Sequence, residues 1–389
     1  MSRAEVERVR LGDVASLFID GDWIESKDQS ESGFRLVQTG NIGIGEYLDK
    51  KERAKYISAD TFSRLKCTEI FAGDILVSRL PDPIGRACIL PKMEQRAITA
   101  VDCSIIRLDS LKCNSGYFVH FTRSKEYEQQ LSRFLAGSTR VRISRKNLQS
   151  VQIPLLPLSD QKRIAGELDR ICELKRNAEA RLQKLDLLVK AKFSEMFGDI
   201  VANDKGWEIV GFDNVAIIEG GLTNDFKKYS QFPHIGIDSI EKDTGILRGY
   251  RTVEEDNVVS GKYFFTPQHI IYSKIRPNLN KVALPTFEGL CSADAYAILP
   301  KDNIDRIYLA YILRSQYFLN YIVPLSGRTG MPKANQKQVR GFKLPLPPLP
   351  LQREFADFVE KVEGLKGVAK EELEKVDLLY RARLQEYFG

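Results

Sequence analysis

The sequence is poor in the residues on which metal, redox and phosphate chemistry depend. Of 389 residues only three are histidines, His120, His234 and His269, and none stands in an HExxH or comparable spacing, so no metal-ligand set can be read from it. Six cysteines (Cys67, Cys88, Cys103, Cys113, Cys172 and Cys291) are scattered without a CxxC pair. That excludes a zinc knuckle and gives no disulfide framework, and reduced thiols are expected. There is no GxxxxGK[ST], and Gly43-Ile44-Gly45 is a lone GxG, so a phosphate-cradling loop is not indicated. No apolar run reaches the roughly 18 residues of a membrane span. The first residues, MSRAEVERVRLGDVA, have no apolar signal core; no membrane association is expected, and a cytoplasmic location is.

Two long stretches also lack acid. Residues 129–159 contain no Asp or Glu but carry Arg133, Arg140, Arg142, Arg145 and Lys146. Residues 306–353 again have none, with Arg314, Arg328, Lys333, Lys337, Arg340 and Lys343 inside. The net charge of +6 is mild, but two acid-free basic stretches at matching places look like two contacts for a polyanion.

The matching places come from a duplication. Residues 373–389, LEKVDLLYRARLQEYFG, align without a gap on residues 182–198, LQKLDLLVKAKFSEMFG, 191 positions earlier. LPLPPLPLQR at 344–353 aligns on IPLLPLSDQK at 153–162, and YLAYILRS at 308–315 on YFVHFTRS at 117–124, both at 191. QHIIYSKIRPNLNKVAL at 268–284 aligns on GDILVSRLPDPIGRACI at 73–89 at 195, and VGFDNVA at 210–216 on VRLGDVA at 9–15 at 201. The unit is too long for a solenoid repeat, so this is a domain-scale duplication. Residues 43–68 and 243–264 agree poorly, which predicts a common scaffold with divergent loops.

Each globular part reads as mixed α+β. Short apolar runs such as residues 74–78, 87–90, 103–108, 269–273 and 295–299, punctuated by Gly, Pro and Asn, predict strands. Residues 117–135 and 308–321 carry apolar residues three and four apart and predict one helix each; helix packing accounts for Tyr127, Tyr317 and Tyr321. Pro154, Pro157, Pro345, Pro347, Pro348 and Pro350 then exclude helix. After them come two long helices, from about 160 to 197 with Ser159 as a candidate cap, and from about 351 to 388. Ile164, Ile171, Leu174, Ala178, Leu185 and Leu188 form a narrow stripe. Their twins Phe355, Val362, Leu365, Ala369, Val376 and Leu379 are apolar at every position. The stripe suits a helix-pair seam, and the simplest partner of each helix is the other, antiparallel about a pseudo-twofold. Gly364 and Gly367 mark a possible bend. The resulting domains are 1–152 and 199–343, globular, and 153–198 and 344–389, each a Pro-rich lead-in with its helix.

Catalytic signatures are missing. The Asn-Pro-Pro-aromatic or Asp-Pro-Pro-Tyr of an adenine methyltransferase is absent, and Pro81-Asp82 with Glu94-Gln95-Arg96 is only a near miss to a PD…(D/E)xK nuclease. The lead-ins ending in Gln (IPLLPLSDQ, LPLPPLPLQ), the following long helix with LDLL, the G-D-I-L-x-S-R strand and the two-copy layout together resemble the specificity subunit of type I restriction–modification systems. The resemblance covers essentially the whole chain. It implies two target recognition domains, each reading one half of a gapped, bipartite site in double-stranded DNA. It implies that the helices act as a spacer on which two methyltransferase subunits dock, with restriction or translocase subunits as further partners. No cofactor is implied in this chain; S-adenosylmethionine is expected in the methyltransferase subunits. A helix of about 39 residues is roughly 58 Å long at ~1.5 Å per residue, the rise of about 17 base pairs. Two other readings stay open: the DNA-recognition part of a fused methyltransferase–nuclease system, and a coiled-coil scaffold with no DNA role, against which the paired acid-free stretches argue.

The expected DNA-facing residues are in loops after matching strands. Arg79 and Arg86 align with Lys274 and Lys281, retaining charge as phosphate positioning requires. Thr139, Arg140, Arg142, Arg328, Lys333, Asn335 and Gln336 lie in the loops before the lead-ins, and Arg276, Asn278 and Asn280 follow the second-copy strand. Arg suits guanine, and Asn or Gln suits adenine. No catalytic or metal residue is expected.

Overall fold

The computed structural model describes residues 6–135, 141–327 and 330–389. Its contacts divide the chain into two units, Met1–Ala180 with Lys370–Gly389, and Arg181–Ala369. The division therefore cuts through the middle of both long helices. The expected segments 1–152, 153–198, 199–343 and 344–389 follow the order of elements along the chain instead.

The first unit contains β1 (Arg8–Arg10), β2 (Ala15–Asp20), β3 (Phe34–Val37), β4 (Tyr56–Ile57), α1 (Ala59–Leu65), β5 (Glu69–Ile70), β6 (Ile75–Ser78), β7 (Ala87–Ile89), β8 (Ala97–Thr99), β9 (Cys103–Leu108), α2 (Ser115–Phe121), α3 (Lys125–Leu135), α4 (Arg145–Gln149), β10 (Gln152–Pro154) and the first part of α5 (Leu158–Phe197). Its sheets run β2-β9-β6-β7 and β4-β3-β8-β5, with β1 paired to β10. Ile75, Val77 and Ile106 enter the main core, whereas Leu76, Cys103 and Ile105 enter a second one on the opposite face. Burial on both faces is why β6 reads as a continuous apolar run rather than an alternating one.

The second unit repeats this plan after the last part of α5. It holds β11 (Glu208–Gly211), α6 (Phe212–Val215), β12 (Ala216–Ile218), β13 (Leu222–Thr223), β14 (Pro233–Ile235), β15 (Arg251–Thr252), β16 (Lys262–Phe265), β17 (Ile270–Ser273), β18 (Val282–Ala283), β19 (Gly289–Cys291), β20 (Ala295–Pro300), α7 (Arg306–Arg314), α8 (Gln316–Leu325), α9 (Gln336–Arg340), β21 (Lys343–Leu346) and the first part of α10 (Leu349–Phe388). The β12-β20-β17-β18 sheet is the counterpart of β2-β9-β6-β7, and β11 pairs with β21 as β1 does with β10. The divergent sheet, β13-β16-β19-β14-β15, has five strands instead of four, in keeping with the poorly matched loop segments.

Two sequence expectations need correction here. The single helices expected at 117–135 and 308–321 are each two. The Ser124 hydroxyl accepts from the Tyr127 amide at 3.2 Å, and Ser315 likewise caps α8; a serine that can start a new helix ends the old one. Pro350 does not exclude helix but lies in the first turn of α10, where a missing N–H leaves no bond unmade. The helix also runs unbroken through Gly364 and Gly367.

The two long helices pair antiparallel. In the first unit Glu167 meets Arg383 and Lys175 meets Asp377; in the second Asp186 meets Lys366 and Phe193 packs on Phe355. Of the expected seam, Ile164, Ile171, Ala178, Phe355, Val362 and Ala369 are buried, and Leu185 and Val376 partly so. Leu174, Leu188, Leu365 and Leu379 are not in the seam but exposed. From Ile164, Ile171, Ala178 and Leu185 the stripe continues four residues on, through Leu168, Lys175, Leu182 and Val189, not three. A heptad alternates steps of three and four, and both choices offered leucines.

Each long helix ends in the core of a unit that it does not begin in. Phe388 packs on Tyr117 and Phe121 at 5.1 and 5.5 Å. Phe197 packs on Tyr308 at 4.8 Å and on Phe355 at 5.4 Å. The lead-ins join the same cores: the Tyr117 hydroxyl donates to the Pro154 carbonyl at 2.8 Å, and Tyr308 to that of Pro345 at 2.9 Å.

Candidate nucleic-acid interface

One arrangement at the end of the central sheet occurs in both units. Ser78 at the end of β6 faces Cys103 at the start of β9, as Ser273 faces Ala295. The next residue is a cation, Arg79 or Lys274, whose amide donates to the carbonyl of Asp102 (2.9 Å) or Asp294 (3.0 Å). Its carbonyl accepts from Ile143 (3.1 Å) or Ala334 (2.8 Å), which draws the acid-free segment onto the strand end. Its side chain donates to the carbonyl of Val101 or Ala293. A second cation, from the acid-free segment, pairs with the same aspartate: Arg142 with Asp102 at 3.0 Å, and Lys333 with Asp294 at 3.3 Å. Directly after it, Ser144 caps α4 and Asn335 caps α9.

The expected phosphate contacts at Arg79, Arg86, Lys274 and Lys281 are not supported by this geometry. Arg79 is 5% exposed and pairs with Asp20 at 3.0 Å; burial lowers its affinity for a proton and Asp20 works against that. Arg86 gives its guanidinium hydrogens to the carbonyls of Ile42, Leu80, Pro83 and Thr39. Lys281 donates to the Ile237 carbonyl at 2.7 Å. Burial, with Lys333 nearby, pushes the Lys274 ammonium below its ordinary value against the pull of Asp294. The retained charge thus serves internal carbonyls, which need donors as much in one copy as in the other. Asn280 is buried too, left-handed at φ 50°, and donates to the Arg314 carbonyl. It stands where the first copy has Gly85 at φ 76°, so it supports the turn. Asn335 has its side-chain oxygen committed to the cap.

Other candidates remain free to meet a ligand. Arg276 and Asn278 are exposed on the loop after β17, and Gln336 is half-buried at the start of α9. Arg142 and Lys333 are accessible while paired with their aspartates. Thr139, Arg140 and Arg328 lie outside the described residues. Arg145, Lys146 and Lys337 are exposed beside the caps. Sequence reasoning noted their charge without singling them out.

It missed two further sets. Asp102 and Asp294 stand one residue before the matching strands β9 and β20, in stretches outside the aligned segments. Gln161 and Gln352, the glutamines ending the two lead-in motifs, are fully buried. Gln161 accepts from the Asn114 amide and donates to the carbonyls of Lys112 and Leu156. Gln352 accepts from the Asp305 amide and donates to the Pro347 carbonyl. Each locks the start of a long helix to the globule before it. Among the described residues no group of three His, Cys, Asp or Glu side chains could hold a metal, and no helix is long and apolar enough to cross a membrane.

Known proteins share this plan. The EcoDI specificity subunit of a type I restriction enzyme from Escherichia coli is 31% identical over 261 residues, 58% of either chain. The MjaVIII specificity subunit from Methanocaldococcus jannaschii is 24% identical over 273 residues, 60% of either chain. The matches thus span about three fifths of the length of these relatives. In fold, the S subunit of a type I restriction–modification system from M. genitalium aligns over 100% of this chain and 98% of its own, with a TM-score of 0.61 at 14% identity. The family model for the type I restriction modification DNA specificity domain matches twice, over residues 4–186 and 204–376, and the chain therefore belongs to that family.

Proposed function

We propose that the chain is the DNA-specificity subunit of a type I restriction–modification enzyme. Each globular part reads one half of a gapped, bipartite site in duplex DNA, and the α5–α10 pair sets the spacing between the halves. The chain itself is not a catalyst. Methyl transfer from S-adenosylmethionine belongs to two methyltransferase subunits, which reach an adenine by flipping it from the duplex; restriction subunits join the same assembly in the cytoplasm. The observation that carries the reading is the duplicated strand-end arrangement, with a basic, acid-free segment fastened at the same place in both units. The loops around it differ between the copies, as two different half-sites require. Leu174, Leu188, Leu365 and Leu379 support the docking role, because exposed apolar side chains at matching places on both helices suit a protein partner.

Methylome sequencing of a host with and without this gene tests the proposal. A gapped adenine motif that disappears with the gene is expected. An unchanged methylome in a host that expresses the methyltransferase subunit would overturn it.

A further inference from the structure

We propose that Asp102 and Asp294 are specificity-determining positioning residues that hold Arg142 and Lys333 back from indiscriminate contact with DNA phosphate. The inference rests on the DNA-reading function proposed above and names how its selectivity is kept.

A cation at a DNA-facing surface adds affinity for every sequence, because phosphate contacts carry no base information. Selectivity is a difference of affinities, and it improves when the wrong partner is penalised. Arg142 and Lys333 lie in acid-free segments beside exposed Arg145, Lys146 and Lys337, where phosphate would arrive. Both are nevertheless paired with a carboxylate held in place by the strand end. The aspartate occupies the anion position that a phosphate would otherwise take. Such partly exposed pairs open at little cost. A duplex whose bases fit the loops can bring a phosphate close enough to replace the carboxylate, whereas one passing without base contacts competes poorly.

The copies differ in charge. In the first, Arg79 and Arg142 face two carboxylates, Asp20 and Asp102. In the second, register places Gly220 where Asp20 would be, since Ile218 pairs with Ile298. Asp294 therefore serves both Lys274 and Lys333. Loss of Asp294 leaves Lys274 as well as Lys333 without that carboxylate, but only Lys333 is free to turn outward, because Lys274 stays on the Ala293 carbonyl.

The test uses the full-length chain and a labelled random-sequence duplex of about 30 base pairs, long enough for many phosphate contacts, titrated by fluorescence anisotropy across a KCl series. Asp102→Asn and Asp294→Asn are expected to bind this DNA several-fold more tightly at low salt. The slope of log K against log salt should steepen by about 0.9 in either variant, one cation being released in each. Arg142→Gln and Lys333→Gln should leave the wild-type slope unchanged, because those cations are already withheld. Weaker binding or an unchanged slope in Asp→Asn variants that melt like wild type overturns the inference. If the Asp→Asn variants unfold, a shallower slope in Arg142→Gln or Lys333→Gln overturns it equally. A wild-type chain without salt-dependent DNA binding instead overturns the DNA-reading function, and this inference with it.

Discussion

Lys366 donates to the Asp186 carboxylate at 2.6 Å across the helix pair, with Glu363 as a second acceptor at 2.6 Å. Its equivalent, Lys175, meets Asp377, the equivalent of Asp186, at 2.7 Å. Two lysines in an otherwise apolar seam, each facing the aspartate of a matching Asp-Leu-Leu stretch, fix the register in the way isolated polar seam residues do.

Replacing Asp186 with Ala removes one of the two carboxylates that hold an ammonium whose side chain is only 11% exposed, so a loss of about 1–3 kcal/mol in urea unfolding is expected. Asp377→Ala should cost less than about 1 kcal/mol, because both partners of that pair are partly open to solvent. The exchange Lys366→Asp with Asp186→Lys should recover part of the loss in a double-mutant cycle, and no recovery would mean that the pair does not set register. Burial acts most strongly on the Lys366 ammonium and lowers its proton affinity, but Asp186 and Glu363 together leave it raised above 10.5. A raised folded value means the contribution is complete below the unfolded value and disappears as pH climbs through the folded one. Wild-type stability should therefore carry an alkaline loss that Lys366→Met lacks.

The exchange of helix ends predicts where damage appears. Phe388 is the penultimate residue, yet it packs on Tyr117 and Phe121. Phe388→Ala should cost about 3–5 kcal/mol, as for other large buried aromatics. The loss should appear as faster amide exchange in α2, not in β17 or β20. Phe197→Ala should reverse the pattern. Equal effects on both units in both variants would contradict the exchange.

This exchange shows what the sequence could and could not reveal. The duplication, the two-part architecture and the family were legible, because gapless similarity over the helices and lead-ins is a strong local signal. The phase of the seam was not: Leu174 and Leu168 satisfy a heptad equally well in one dimension, and only the partner helix distinguishes them. The candidate interface was half legible. Acid-free segments pointed to the stretches that are fastened at the two strand ends, but retained charge at Arg79, Arg86, Lys274 and Lys281 reads the same whether it faces phosphate or a buried carbonyl. Gln161 and Gln352 were visible as motif letters, although their hydrogen-bond partners lie in segments that only folding brings near.

Those glutamines supply a further prediction. Gln161→Leu keeps the bulk but leaves the Asn114 amide and the Lys112 and Leu156 carbonyls without their partner. Each stranded buried group costs roughly 1–3 kcal/mol, so destabilisation of at least about 2 kcal/mol is expected by thermal or urea melting. Gln161→Glu retains the acceptor and loses the donor, so it should fall no nearer to wild type than leucine, because it also buries a charge. A near-neutral Gln161→Leu would show that the helix start is held by packing alone.

Arg86 and Arg276 separate structural from DNA-facing charge. Arg86 serves four carbonyls of its own unit, so Arg86→Ala should lower stability by about 2 kcal/mol or more. At temperatures where that variant stays folded, the salt slope of DNA binding should be unchanged. Arg276 is exposed, with its backbone held by the Pro332 carbonyl at 2.7 Å. Its guanidinium has no hydrogen bond or ion pair among the described residues, so Arg276→Ala should leave the melting curve where it is. Binding should weaken, and the salt slope should fall by about 0.9 if the side chain meets one phosphate. The two variants are thus expected to give opposite patterns in the same pair of assays. A stable Arg86→Ala with a reduced slope would return that residue to the DNA surface and remove the carbonyl network as the reason its charge is shared with Lys281.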